Sequence, residues 1–430
     1  MKITGNILSE ELALSGRLTS FQVFLVFLAA WAALLFVPFG VRAQDAVQAL
    51  GADQALSGNQ GQVSNPDYYN LKTGPVSFRF QSGLGIVASD NINYTDTNRV
   101  SDLYFDPQFK VQAFWPVTLD NSLYFNTGIG YVAYLQHSAL DHFDINPDSN
   151  LSFQMYVSDV SINFHERLSL SDDLAQAPTV SGTGTYLQLE NVCGVDAVCP
   201  LDDVILTVGY DHDWVTYPGS QFQASGGNSD FLYGQAEITN SFIHYGAEAG
   251  AGMTYYDQNI LSDNLQASAG GFVQGQVTDH FSARASAGVA SYFFSSSGSG
   301  ANISDVVGYY ASLSLDHRIN QWLSQSLSGG RRYEQAADVD LLELYYAYYE
   351  VGFNAINQLP ITLRLIYEHG RDYGGPGETF DRYGVSLKAQ YELTQKLTGV
   401  AEYDFTDRNS DITAASYAEN RVTLQLVYNF

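Results

Sequence analysis

Arg421-Val422-Thr423-Leu424-Gln425-Leu426-Val427-Tyr428-Asn429-Phe430 closes the chain. Apolar side chains stand at Val422, Leu424, Leu426, Tyr428 and Phe430. Polar ones stand at Arg421, Thr423, Gln425 and Asn429, with Val427 the single exception. Side chains alternate between faces along a strand, so this spacing gives one extended segment an apolar face and a polar face. The final residue is aromatic and lies on the apolar face.

The same alternation recurs from Pro75 onward. Val76, Phe78, Phe80, Leu84 and Ile86 oppose Ser77, Arg79, Gln81, Gly83 and Gly85. Leu151, Phe153, Met155 and Val157 lead into Ser158-Asp159, after which the apolar phase flips to Val160, Ile162, Phe164 and Leu168. A phase flip across two polar residues is the mark of a hairpin. Ile243, Tyr245, Ala247, Ala249, Ala251, Met253 and Tyr255 repeat the pattern, as do Tyr383, Val385, Leu387, Ala389 and Tyr391.

Connections alternate in length. Short ones fall near 118–121, 158–159, 200–203, 239–241, 278–280, 317–321, 357–360 and 394–396. Longer ones, rich in Gly, Ser, Asn and Asp, fall near 89–101, 137–149, 171–187, 218–229, 257–264, 295–304, 334–340, 371–379 and 407–418. Short turns on one rim and long loops on the other predict an all-β, transmembrane, antiparallel up-and-down β-barrel of about 18 strands, both ends on the short-turn side. Sixteen strands is the alternative, because 188–199 carries the weakest alternation. If 188–199 is a strand, Cys193 and Cys199 stand roughly 20 Å apart and stay reduced; if it is a loop, they can bridge.

Residues 1–43 read as a signal peptide: Lys2 and Arg17 precede an apolar run, and Val41-Arg42-Ala43 fits a cleavage site. Residues 44–74 lack any period and read as a flexible periplasmic lead-in, leaving 75–430 for the barrel. The formal charge is −27, and loss of the signal makes it one unit more negative. Such a chain is no partner for nucleic acid. It suits the outer membrane, with lipid and lipopolysaccharide as surroundings. Aromatic residues make up 14 % of the chain, as expected of rings placed at membrane interfaces.

No nucleophile elbow, zinc-protease, phosphate-loop or paired-cysteine motif occurs. The sequence therefore predicts no enzyme, no cofactor and no metal. Asp211-His212-Asp213 looks metal-like, but on a strand His212 points opposite to both carboxylates. The strand phases place Arg79, Lys110, Arg167, Arg284, Arg332, Arg364, Arg382, Lys388 and Arg421 inward, together with Asp211, Asp213, Glu237 and Glu248. A cation facing lipid at mid-membrane costs about 2–4 kcal/mol, which forces this placement whatever the function. Two consequences stay open. The basic strands near the closure and the strands carrying Asp211, Asp213, Glu237 and Glu248 face one another across the lumen, or Glu368, Glu392, Glu402 and Asp404 neutralise their basic neighbours in ion-pair ladders.

The closing strand, with Tyr428 and Phe430, resembles the terminal signal by which bacterial outer-membrane barrels engage their insertion machinery. Glu190-Asn191, Gly209-Tyr210-Asp211-His212, Ser324-Gln325-Ser326-Leu327-Ser328 and Phe430 together resemble the β-barrel porin families of Gram-negative bacteria. The resemblance implies a diffusion channel for small hydrophilic solutes or ions, with a homo-oligomer left open. An export conduit or accessory barrel for extracellular polysaccharide, and a structural or adhesive barrel, remain as alternatives. The loop at 171–187 is long enough to fold inward and narrow the lumen.

Overall fold

The computed structural model describes residues 69–430 apart from 173–176, 241, 259, 296–302, 355, 357 and 376. The proposed signal peptide and most of the lead-in lie outside the described residues. Within them the chain forms 18 barrel strands: β1 (Val76–Ser89), β2 (Asp102–Pro116), β3 (Ser122–Tyr134), β4 (Asn150–Val157), β5 (Val160–Ser171), β6 (Gln188–Leu201), β7 (Val204–Thr216), β8 (Gly227–Asn240) and β9 (Ile243–Tyr256). They continue as β10 (Asn264–Thr278), β11 (Phe281–Phe294), β12 (Val306–Arg318), β13 (Leu323–Glu334), β14 (Leu341–Phe353), β15 (Ile361–Tyr373), β16 (Thr379–Thr394), β17 (Leu397–Ser410) and β18 (Tyr417–Asn429).

Each strand pairs antiparallel with its sequence neighbour, and β18 returns to β1 from Gln81↔Asn429 to Ser89↔Arg421. That last ladder closes the sheet and removes its edges. The stretch 188–199 is a full strand, paired on both sides, so the count is 18 rather than 16. Cys193 and Cys199 are accordingly unbridged, with Cys193 exposed.

Two short segments supplement the wall. Leu71–Thr73, at the end of the stretch read as lead-in, pairs with Val76–Phe78 through a turn at Gly74, whose φ of 60° favours glycine. His142–Ile145, inside the long β3–β4 connection, pairs with the upper part of β3, where β4 is too short to reach.

One ladder is incomplete. The β12–β13 pairing stops at Ala311↔Arg331, whereas β13–β14 stays paired up to Glu334↔Leu342. Above that level Arg331 donates to the main-chain carbonyl of Tyr309 on β12, so a side chain stands where ladder bonds would otherwise run. The β13–β14 hairpin thereby gains freedom to lean away from β12, and it leans into the barrel. Gln335 at its tip donates to Thr254 Oγ1 on the inner face of β9 at 2.8 Å.

Candidate functional site: the inner wall and its covered mouth

Outward positions form an apolar belt. Leu84, Ile129, Leu232, Tyr309, Val385 and Leu424, spread round the circumference, are all exposed. Inward positions on the same strands carry Arg, Lys, Asp, Glu, Gln and Ser. A soluble barrel has the reverse arrangement, apolar inside and polar outside. Closure of the sheet removes its open edges, and an apolar exterior on it leaves only lipid as a matching solvent. It is an outer-membrane β-barrel.

No family model matches this barrel, and no curated protein matches it in sequence. Among solved structures it is similar to the outer membrane protein OpdK of Pseudomonas aeruginosa, at 11% identity over 82% of this chain and 99% of that one, with a TM-score of 0.49. It is also similar to OccAB3 of Acinetobacter baumannii, at 12% identity over 82% and 99% of the two chains, with a TM-score of 0.47. OccK2 (OpdF) of Pseudomonas aeruginosa is similar at 12% identity over 83% and 98%, with a TM-score of 0.49.

All thirteen inward charges expected from the phases lie on the barrel's inner face. Their partners decide between the two arrangements left open. Lys388 Nζ lies 3.0 Å from Glu402, Arg421 Nε 3.5 Å from Asp404, and Arg382 Nε 2.6 Å from Glu368. Arg332 pairs with Glu334, and Lys110 with Asp148 of the β3–β4 connection. The ladder arrangement is therefore the one adopted on this side. Arg79 donates to Asn429 Oδ1 at 3.2 Å, tying β1 to the closing strand. Arg364 stacks over Tyr348, its guanidinium carbon 5.6 Å from the ring centroid.

The wall from β5 to β9 is built differently. His165 Nε2 lies 2.8 Å from Asp211, and its Nδ1 lies 3.3 Å from Asp196 on the intervening strand. His244 Nδ1 lies 2.5 Å from Glu237. Asp213 is almost wholly buried in the same wall, and Arg167 lies beside Glu190. Arg284 approaches Glu248 at 3.5 Å, while Tyr310 donates to the same carboxylate at 2.7 Å. Gly194 makes the His165 contact feasible. A Cβ there would overlap Asp211 Oδ1 and sit 2.6 Å from His165 Nε2. His212 points outward to Asp230 at 2.9 Å, away from Asp211, as alternation requires. Among the described residues no group of three or more ligating side chains is placed to hold a metal.

The long-loop mouth carries a cover. Val180 and Tyr186 of the β5–β6 connection pack with Val215, Tyr217 and Phe222 of the β7 end and its loop, and with Ala337 of the β13–β14 hairpin, in one buried apolar cluster. Gly182 donates its amide to Tyr94 O at 2.8 Å, joining the β1–β2 connection to the same structure. The sequence expectation for 171–187 pointed to this cover. The part played by 335–340 was not anticipated, because six residues look too few to cross a lumen; they do so because the paired strands beneath them lean inward.

Arg408 anchors the cover from β17. It is fully buried, donates from Nε to Pro178 O at 2.9 Å and from Nη2 to Thr179 O at 3.3 Å, and meets Glu378 at 2.7 Å. Its guanidinium carbon lies 4.1 Å from the Phe380 ring centroid. Asp338 stands exposed at the hairpin tip. Asp340, close to it, is buried and accepts from the Ser262 amide, and burial raises its carboxyl above the usual range. Arg408 and Asp338 fell in segments read as loops, and Asp196 in the weakest strand, so phase alone did not mark them.

Proposed function

We propose that the barrel is a channel for passive diffusion of small hydrophilic solutes or ions, with passage narrowed at the long-loop mouth by the cover. The observation that carries this reading is the inner wall. Arg, Lys, Asp and Glu side chains from nearly every strand point into an 18-stranded barrel, a size that leaves an aqueous interior unless something fills it. Ion pairs in that position are tolerable only if water or other polar groups solvate what the pairs leave over.

The cover distinguishes this channel from a wide, unobstructed diffusion pore. Its hydrogen bonds hold it to β9, β10 and β17, and its apolar cluster spans three connections. Solutes then pass beside it or after it shifts. Lipopolysaccharide around the long-loop rim, and recognition of Tyr428 and Phe430 by the insertion machinery, belong to the same reading.

Planar-bilayer conductance of the refolded barrel tests the proposal. Two proteins are compared: the native chain and a variant in which 335–340 are replaced by a short Gly-Ser turn. Discrete ohmic steps in at least the variant are expected. No current from either protein, with both folded, removes the channel reading and returns weight to a structural role.

A further inference from the structure

Two sides of the inner wall treat their carboxylates in different ways. From β13 round to β2, several inner acids meet permanent cations: Glu402 meets Lys388, Asp404 meets Arg421, and Glu368 meets Arg382. An Arg or Lys beside a carboxylate leaves little net field at a distance. From β6 to β9 the acids Glu190, Asp196, Asp211, Asp213, Glu237 and Glu248 share one face of the lumen. Their close partners there are largely imidazoles. His165 serves both Asp196 and Asp211, and His244 serves Glu237.

Even a protonated His165 carries one charge for two carboxylates. Arg284 and Arg167 are the only full cations beside this group among the described residues, and they are too few to balance it. The wall therefore retains net negative charge on this side, facing a side where Lys and Arg offset many of the acids. A low-dielectric tube focuses such a field on its interior and raises the local concentration of the opposite charge.

We infer that the β6–β9 wall makes the lumen selective for cations, so that its solutes are small cationic or cation-bearing zwitterionic molecules rather than carboxylates or phosphates. The inference rests on the channel reading above and adds the charge class of what passes. Asp211 and Glu237 are its specificity-determining residues, because each couples through a histidine to another strand while keeping its own charge in the wall.

The test is the reversal potential of single-channel current across a tenfold KCl gradient, measured in whichever of the two proteins above conducts. Potassium over chloride permeability is expected on the order of tenfold. Asp211→Asn combined with Glu237→Gln should bring that ratio down several-fold with little change in single-channel conductance. Asp211→Glu, which keeps the charge, should restore it. If the double variant does not fold, the native reversal potential alone decides. A potential of anion-selective sign, or one near zero, overturns the inference and leaves the channel standing. Absence of current from both proteins overturns the channel and the inference with it.

Discussion

Arg408 donates from Nε to the main-chain carbonyl of Pro178 at 2.9 Å, across 230 residues of sequence. One side chain thus fixes the β5–β6 connection to the inner face of β17. The same guanidinium meets Glu378, so the anchor joins three separate parts of the long-loop rim.

Replacing Arg408 by Gln leaves Glu378 buried without its cation, and breaking a buried pair from one side costs about 3–5 kcal/mol. The cost falls on the cover, because the barrel ladders on both sides of β17 are untouched. Limited proteolysis should cut within 177–187 much faster in Arg408→Gln than in the native protein, while heat-modifiable gel mobility stays that of a folded barrel. Unchanged cleavage would show that the apolar cluster holds the cover without its anchor.

Acidity should tighten the cover. Burial raises the carboxyl of Asp340 in the docked hairpin. Asp340 is faced by the Ser262 amide from the β9–β10 connection and by Gly374 of the β15–β16 connection, with Tyr256 of β9 close by. A carboxyl whose docked value lies above its free value of about 3.9 favours docking fully below that free value and loses the advantage as pH rises through the docked one. Conductance and loop cleavage should therefore both increase from pH 4 upward. Asp340→Asn should flatten the dependence, and a slope of the opposite sign would refute the assignment.

Gly194→Ala tests the histidine bridge. The added methyl overlaps Asp211 and crowds His165 and the Tyr210 carbonyl. Overpacking of this kind costs about 1–3 kcal/mol. The urea midpoint of the refolded barrel should fall accordingly, and the β6–β7 ladder should lose amide protection at Gly194↔Asp211. An unchanged midpoint would mean that the wall yields there at no cost.

Phe430 donates its amide to Phe80 O at 3.3 Å, and its ring packs against Tyr428 with centroids 5.3 Å apart. The ring faces lipid, so Phe430→Ala should shift the urea midpoint only slightly. Assembly by purified insertion machinery should slow markedly. Equal assembly rates would remove the signal role assigned to this residue.

Outward stripes such as Leu84 and Ile86, or Leu424 and Leu426, were legible in the sequence because lipid enforces them: a misplaced charge is expensive, and alternation has period two. The strand count and the inward direction of Arg382 or Glu237 follow from the same constraint. Ion-pair partners were partly legible, since Glu402 and Asp404 share a phase with the cations they meet. The cover was not. Its formation depends on where the β12–β13 ladder ends, and nothing in Ala311 or Arg331 announces that end; it is set by how far the hairpin must lean to place Ala337 against Val180.

The early end of that ladder has a mechanical consequence. Where the ladders run unbroken, main-chain hydrogen bonds must break before the upper wall changes its circumference. At the upper β12–β13 junction side chains stand in for ladder bonds, Arg331 reaching Tyr309 O and Tyr333 packing with Tyr310, with β13 and β14 travelling together as one leaf. The upper rim is thus a coil with one loose turn rather than a rigid hoop, and its perimeter can adjust while the lower half keeps a fixed girth.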